Sequence, residues 1–166
     1  MKLTWKKNMS SDYSIYDGGQ KIGSLKKENF FSGKVIGNIN GEEYVFYKKN
    51  IVDNSITFRK TKDSGPLGNI NFNIWSNKAN IRIDNQRYIW RYNNLLNNKW
   101  NIESSNGNKA EYKANFSSGD INYKDNDQLM ILLGLYVSRY YQRQSIFIIC
   151  ILFVPIYMTF ISRLLS

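Results

Sequence analysis

Residue types that carry covalent or acid–base chemistry are scarce in this chain of 166 residues. It has no histidine, and its single cysteine, Cys150, lies inside an apolar run. Ser-His and Cys-His catalysis are therefore excluded, as is an intramolecular disulfide. We predict a non-enzymatic protein without a cofactor. The remaining enzymatic alternative is a hydrolase or transferase built on paired carboxylates, and no spacing in the sequence indicates such a pair.

Three carboxylates, Asp120, Asp125 and Asp127, lie just before a C-terminal apolar segment. Carboxylate oxygens are ligands that Ca²⁺ prefers, which makes these residues weak candidates for a metal site. The stretch lacks the ligand spacing of an EF-hand loop, and Asp125 and Asp127 are equally suited to capping the helix that follows. Capping is the simpler interpretation, so we predict no metal site.

Basic side chains dominate the charge of the protein, since 23 Lys and Arg face 13 Asp and Glu and give a formal charge of +10. Such a surface suits nucleic acid, anionic lipid or simply solvent. One basic group flanks an apparent hairpin and could converge on a phosphate group. Its members are Lys48, Lys49, Arg59, Lys60 and Lys62. The alternative for this group is a solvated charged face.

The elements that would position these residues are short strands with alternating apolar and polar side chains. Turn pairs such as Asn40-Gly41 and Asp84-Asn85 separate them. We predict an all-β fold, a closed antiparallel barrel, because so many strand edges are best removed by closing the sheet. The predicted strands are centred on residues 3–5, 13–16, 22–25, 35–39, 44–47, 56–58, 67–75, 81–83, 88–92, 100–102, 110–116 and 121–123. Alternation directs the aromatic residues mainly to the core, so no nucleic acid is expected.

A helix is predicted over 127–141, with N-cap residues before an apolar series that begins at Leu129. Hydrophobic residues cover every side of its first two turns, whereas a helix on a sheet surface keeps one polar face. The nine residues 129–137 reach only about 14 Å, too short for a bilayer of roughly 30 Å. We therefore place this helix inside the barrel, within a domain of residues 1–141.

A second apolar run, 146–161, contains no charged residue. Extended to 145–165 it approaches the ~20 residues that a transmembrane helix needs, and Pro155 is tolerated in such helices. A second core helix is the alternative, but the short chain lacks a further layer to cover it. We predict a C-terminal transmembrane anchor.

The boundary between barrel and anchor is basic and aromatic, a composition typical of membrane interfaces. Its members are Arg139, Tyr140, Tyr141 and Arg143, with Arg163 beyond the anchor. Positive charge before the anchor, a single Arg after it and no signal sequence at the start indicate a single-pass, tail-anchored protein. The N-terminal domain is expected on the cytoplasmic side of its membrane.

The strands up to 121–123, followed by the helix from Asp127 to Tyr136, resemble the tubby-like superfamily, which includes tubby C-terminal domains, LURP-one-related proteins and phospholipid scramblases. The resemblance is one of layout and covers the chain up to about Tyr141. It implies a barrel threaded by the helix. Similarity to tubby domains implies binding of phosphoinositide headgroups by basic residues, and similarity to scramblases implies a calcium site before the helix and lipid transfer.

Two functions follow as hypotheses. The first is a membrane-tethered module that binds anionic phospholipid headgroups or a partner protein at the membrane surface. The second is a scramblase-like protein that handles lipid.

Overall fold

The computed structural model describes residues 1–29, 33–50, 54–73, 77–124 and 127–164. Within the C-terminal helix it describes the backbone throughout, but not the side chains of 146–154, 156 and 159–164.

The described chain forms a closed barrel of antiparallel strands, each paired with its neighbours in sequence. Closure is made by β1, in which Trp5 pairs with Ile15 of β2 on one side and with Gly119 of β12 on the other. The strands are β1 Lys2–Lys7, β2 Tyr13–Asp17, β3 Gln20–Lys27, β4 Val35–Ile39, β5 Glu42–Tyr47, β6 Ser55–Lys60, β7 Gly68–Asn73, β8 Lys78–Ile83, β9 Gln86–Tyr92, β10 Lys99–Ser104, β11 Lys109–Ala114 and β12 Ser118–Tyr123. The prediction of twelve strands and a closed antiparallel barrel is confirmed.

Tight turns form where the sequence predicts them. Asn40 and Gly41 have φ of 47° and 85°, and Asp84 has φ of 47°. Positive φ at the central positions gives a two-residue turn the twist of the flanking strands, which explains why Asn, Asp and Gly occupy these sites.

Alternate residues of each strand point into the barrel. Ile70, Ile81 and Trp90, for example, are fully or almost fully buried on three successive strands. Since a strand alternates its side chains with a period of two, the inner face is apolar and the outer face polar.

The interior is filled by the helix α1, Gln128–Leu164. It begins at Asp127, whose Oδ1 accepts a hydrogen bond from the Met130 amide at 3.4 Å. Most of its side chains from Leu129 to Tyr141 are buried. Apart from Gly134, every residue from Met130 to Val137 belongs to the apolar core. This stretch is about 18 Å long, close to the ~20 Å of a strand of six residues, so it crosses the barrel once. The prediction of a buried helix is confirmed.

Two ends of the barrel are distinguished by α1. At the end that we call the floor, α1 begins, and Tyr88 at the start of β9 donates a hydrogen bond to Asp127 at 2.9 Å. At the opposite end, the mouth, α1 leaves the barrel between strand ends, and Tyr141 donates to the Asn73 carbonyl at 3.1 Å. The described residues of the connections at the mouth are 8–12, 28–29, 33–34, 48–50, 54, 77, 93–98 and 115–117.

The structure differs from the sequence prediction at several boundaries. Strand β7 begins at Gly68 rather than at 67, and the predicted residues 74–75 lie outside the described residues. Strand β11 ends at Ala114, two residues before the predicted end, and Phe116 is fully exposed in the turn that follows. The two predicted helices, 127–141 and 145–165, are one continuous helix as far as Leu164. The polar residues between them, Gln142, Arg143 and Gln144, do not break it because Gln and Arg have favourable helix propensities.

Candidate functional site

Arg139 is the most unusual polar residue at the mouth, because its side chain is only 4% exposed. Its Nη1 lies 3.7 Å from Oδ1 of Asp12, in the connection between β1 and β2. Neither Nε nor Nη1 has a hydrogen-bond partner. Burial lowers the pKa of this guanidinium, and the nearby Asp12 carboxylate acts in the opposite direction. A guanidinium stays charged in proteins, so Arg139 is a desolvated cation with unused donors.

A second group of polar contacts ties α1 to β1 and β2. Lys7 Nζ donates to Oε1 of Gln142 at 2.9 Å, and the Tyr13 hydroxyl donates to the same oxygen at 3.4 Å. Burial, followed by the charge of Arg139, lowers the pKa of Lys7. The mouth thus holds α1 by hydrogen bonds where the apolar core ends.

A crevice of about 570 Å³ opens beside these residues, between α1 and strands β4 and β6. Its wall is apolar where Val35, Ile56 and Tyr136 line it and basic where Arg139 and Arg143 line it. Among the described residues, the lining consists of Gly33, Val35, Lys48, Ile56, Tyr136, Arg139, Tyr140, Arg143 and Gln144. The combination of an apolar wall with a few charged groups is typical of small-molecule sites.

Basic side chains are concentrated at the mouth. We count the connections at the mouth together with the two residues of each strand that adjoin them. The described basic residues of this region are Lys6, Lys7, Lys26, Lys27, Lys34, Lys48, Lys49, Lys78, Arg91, Lys99 and Lys113. The described acidic residues of the same region are Asp12 and Glu28.

At the floor, basic and acidic side chains are mixed and form ion pairs. Lys60 lies 3.0 Å from Glu42, and Lys109 lies 2.7 Å from Glu111. The Lys60 ammonium lowers the pKa of Glu42 through a hydrogen bond and its charge. The positive charge of the protein is therefore polarised toward the end from which α1 emerges.

Large apolar side chains are exposed at three mouth connections. Met9, Leu95 and Phe116 have relative exposures of 106%, 101% and 105%, and Leu96 has 81%. We call these four residues the apolar tips. The described connections of the floor expose no large hydrophobic side chain in this way, and Met1, which lies at that end beside Tyr123, is 67% exposed. Apolar tips beside basic residues on one end of the barrel form a surface suited to a membrane interface.

The predicted group Lys48, Lys49, Arg59, Lys60 and Lys62 is divided between the two ends. Lys48 and Lys49 follow β5 at the mouth, whereas Lys60 ends β6 at the floor, about 13 Å away along the strands. The Arg59 guanidinium donates to the carbonyl oxygens of Lys60, Thr61 and Asp63 in the floor connection. The structure does not bring the five side chains to one phosphate-sized site.

The predicted acidic candidates are also separated. Asp120 lies in β12, 3.5 Å from the Lys2 ammonium, and Asp127 caps α1 and accepts a hydrogen bond from Tyr88. Asp125 lies outside the described residues. In the part of the chain that the structure describes, no group of three or more His, Cys, Asp or Glu could hold a metal ion.

The predicted membrane-interface residues have different positions. Arg139 and Tyr141 are each 4% exposed and lie inside the mouth. Tyr140 is half-buried and stacks on Phe72 with ring centroids 3.7 Å apart, while Arg143 is exposed. The side chain of Arg163 is not described. Among the members whose side chains are described, Arg143 is the exposed cation.

The C-terminal part of α1 continues past the mouth, and Pro155, Tyr157 and Met158 on it are exposed. Among the residues whose side chains are described, no helix has a stretch long and apolar enough to cross a membrane. Most side chains of the predicted anchor 145–165 lie outside that description, so the anchor remains a prediction.

Sequence reasoning missed the apolar tips and the buried position of Arg139. A signal for the first is present in the sequence 93–98, where Leu95 and Leu96 interrupt a run of asparagines that is otherwise typical of a turn. No comparable signal marks Arg139, because its burial depends on how far α1 extends into the mouth.

Comparison of the chain with protein-family models, curated proteins and solved structures finds no match.

Proposed function

We propose that this protein is a membrane-anchored, non-enzymatic barrel whose mouth rests on an anionic membrane surface. The observation that carries the proposal is the coincidence, on one end of the barrel, of basic residues, the apolar tips and the point where α1 emerges. Each basic residue near an anionic surface contributes up to about 1 kcal/mol, and apolar side chains that enter the headgroup region add to this.

The anchor supports the same orientation. The charge-free sequence 146–161 lies on the helix that leaves the mouth, so its insertion would bring the mouth toward the headgroups. The anionic leaflet that best matches this charge is the cytoplasmic one. Membership of the tubby-like superfamily is part of the proposal, supported by the twelve-strand barrel around a helix.

Vesicle binding by residues 1–145 tests the proposal, with near-UV circular dichroism to show that the fragment is folded. It should bind vesicles rich in phosphatidylserine at low salt and release them toward 1 M salt, where the Debye length falls to ~3 Å. Neutral phosphatidylcholine vesicles are the control.

A matched pair of charge reversals tests the orientation. Lys48→Glu with Lys49→Glu at the mouth should weaken binding by about 30-fold or more at low salt, the equivalent of about 2 kcal/mol for two cations. Lys62→Glu with Lys124→Glu at the floor changes the net charge equally and should have little effect. Equal losses in both variants would contradict the orientation. If the folded fragment ignores anionic vesicles altogether, a tethered adaptor for a partner protein becomes the better explanation.

A further inference from the structure

The outward face of β7, β8 and β9 carries positive charge without any negative charge. None of these three strands contains an Asp or a Glu. The cations that they direct outward are Lys78, Arg82, Arg87 and Arg91, and all four are exposed. The residues between them, such as Ile81, point into the core, as expected for the alternation of a strand. We call the outward face of these three strands the basic wall.

The cations of the basic wall face each other across the β8–β9 ladder. Arg82 lies directly opposite Arg87, and Lys78 lies directly opposite Arg91. Like charges in directly opposed positions destabilise a sheet. Arg91 is relieved by Glu103 of β10 at 3.7 Å, but among the described residues neither Arg82 nor Arg87 has an ion pair. The arginine pair is therefore a cost to the fold that no carboxylate of the described chain offsets.

The comparison with another like-charged pair shows what is missing at the arginine pair. Lys99 of β10 lies opposite Lys113 of β11, but Asp120 of β12 lies on the other side of Lys113. The corresponding neighbour of Arg82 is Asn69 of β7, which is neutral. A repulsive pair that the fold does not compensate is explained when an external anion binds it.

A groove of about 290 Å³ adjoins the arginine pair on the side of β6 and β7. Its charged lining is Arg82, Lys49 and one carboxylate, Asp84, and its polar lining includes Thr57 and Asn69. The basic wall is therefore concave beside Arg82. An acidic side chain placed there can contact the guanidinium and neutral hydrogen-bonding groups together.

The neutral residues of the basic wall favour a peptide over a nucleic acid. The described outward side chains of these strands include no aromatic ring on which a base could stack. Asn71 and Asn80, directly opposite each other, offer amide donors and acceptors that suit the N–H and C=O groups of a peptide main chain. Ile89 lies between Arg87 and Arg91 on β9, and its 48% exposure provides an apolar contact.

We propose that the basic wall binds an extended acidic segment of a partner protein. The two like-charged pairs lie four residues apart along the strands, about 13 Å, with Ile89 midway. An extended peptide has the same period, so its residues i and i+4 can place carboxylates on the two pairs while residue i+2 contacts Ile89. Guanidinium groups bind carboxylates by paired, charge-assisted hydrogen bonds. The motif that fits is therefore acidic–x–apolar–x–acidic.

This inference goes beyond the proposed function, because the basic wall lies along the side of the barrel. The arginine pair is at its floor end, next to the turn between β8 and β9. It remains accessible when the mouth contacts a membrane. The protein would then hold a soluble acidic partner at the membrane surface.

Fluorescence anisotropy of a labelled peptide tests the proposal, with the full chain in a non-ionic detergent. The peptide is Gly-Glu-Thr-Val-Thr-Glu-Gly, blocked at both ends, and it should bind saturably at low salt. The same peptide with both glutamates replaced by glutamine should bind at least tenfold more weakly, because the charge-assisted hydrogen bonds are lost. Gly-Val-Glu-Glu-Thr-Thr-Gly has adjacent glutamates that reach only one pair and should bind at least threefold more weakly. Equal binding of either control, or tighter binding of single-stranded hexathymidylate, would overturn the proposal.

Matched variants locate the site. Arg82→Gln with Arg87→Gln should weaken binding of the peptide by about tenfold or more, since two hydrogen bonds to charged groups are removed. Lys21→Gln with Lys26→Gln on β3, five strands from β8, changes the net charge equally and should bind like the native protein. The same loss in both variants would show that attraction by the overall charge is sufficient, and would overturn the assignment to the basic wall.

Thermal unfolding of the same variants separates binding from a structural role. Arg82→Gln with Arg87→Gln should keep or raise the Tm, because the repulsion across the ladder is relieved. A lower Tm would show that the arginines stabilise the fold, and would overturn the argument for an external anion. Arg82→Glu with Arg87→Glu should instead prefer a peptide with lysine in both acidic positions, and no such preference would also overturn the proposal.

The outcome is separable from that of the proposed function. Vesicle binding by a protein that ignores the acidic peptide would overturn only the role of the basic wall. Peptide binding by a protein that ignores anionic vesicles would overturn only the orientation of the mouth.

Discussion

Gly134 is the residue on which the fit of helix and barrel depends most closely. A Cβ at this position would meet the ring and hydroxyl of Tyr112, and that hydroxyl donates to the Met130 carbonyl at 2.9 Å. The Gly134 carbonyl also accepts a hydrogen bond from Trp90 Nε1 at 3.1 Å. A glycine in mid-helix is therefore explained by the close approach of β11, despite its low helix propensity.

Gly134→Ala should destabilise the barrel even though alanine favours a helix by about 1 kcal/mol. Overpacking of a filled core costs about 1–3 kcal/mol and exceeds that gain when the opposing atoms belong to a buried ring. Thermal unfolding of the full chain in detergent should show a lower Tm. In a Tyr112→Ala background the clash is absent, so the same substitution should be neutral or stabilising; a loss of equal size in both backgrounds would show that the ring is not the cause.

At the scale of the element, the part of α1 inside the barrel contributes side chains to the apolar core on all of its sides. Leu132 is fully buried, and Gly37 of β4 lies against it so closely that an added Cβ would stand 3.1 Å from Leu132 Cδ1. No face of this part of α1 meets water, which distinguishes it from a helix packed on a sheet.

Leu132→Lys should abolish folding. An unpaired buried ammonium costs several kcal/mol, comparable with the 5–15 kcal/mol of total stability of a typical domain. Leu132→Met keeps the side-chain volume and should lower the free energy of unfolding by less than about 1.5 kcal/mol. Comparison of the two variants separates the effect of the charge from that of a changed shape. Near-UV circular dichroism of the two variants gives the comparison, and a folded lysine variant with an unchanged Tm would contradict the position assigned to α1.

The strands could be predicted because their apolar residues recur with a period of two. The buried helix could be predicted because apolar residues cover every side of it. The sequence prediction grouped Lys48, Lys49, Arg59, Lys60 and Lys62 at one hairpin and missed their division between the two ends, although successive connections of an antiparallel meander alternate between ends. Lys48 and Lys62 lie in adjacent connections and so belong to opposite ends. The crevice could not be predicted, because it depends on where the Arg139 side chain lies when α1 crosses the mouth.

At the scale of the whole molecule, alkaline pH should separate barrel stability from the proposed membrane attachment. Burial raises the pKa of Tyr13, Tyr112, Tyr136 and Tyr141 in the folded protein. Unfolded tyrosines ionise near pH 10, so the unfolded state loses protons first and the stability present below that pH is lost as pH rises through and above it.

We therefore expect the near-UV circular dichroism of the barrel to disappear above about pH 10, together with a rise in phenolate absorbance. If 145–165 is a transmembrane anchor, the unfolded full chain should still remain in the membrane pellet at that pH, whereas residues 1–145 should move to the supernatant. Release of the full chain would show that the anchor is assigned incorrectly. A barrel that keeps its spectrum while its tyrosines ionise would contradict their burial.

The unbroken passage of α1 through the mouth has a mechanical consequence. Force applied along the C-terminal part of α1 is transmitted to the side chains that fill the barrel, since the helix is continuous from Tyr141 to Leu164. Withdrawal of α1 by a single barrel length, about 18 Å, would leave the inner faces of all strands without a partner. If 145–165 is the anchor that we propose, its extraction from a membrane and loss of the fold would be one event. Stretching between the N-terminus and residue 164 in an optical trap should give one cooperative rupture rather than two.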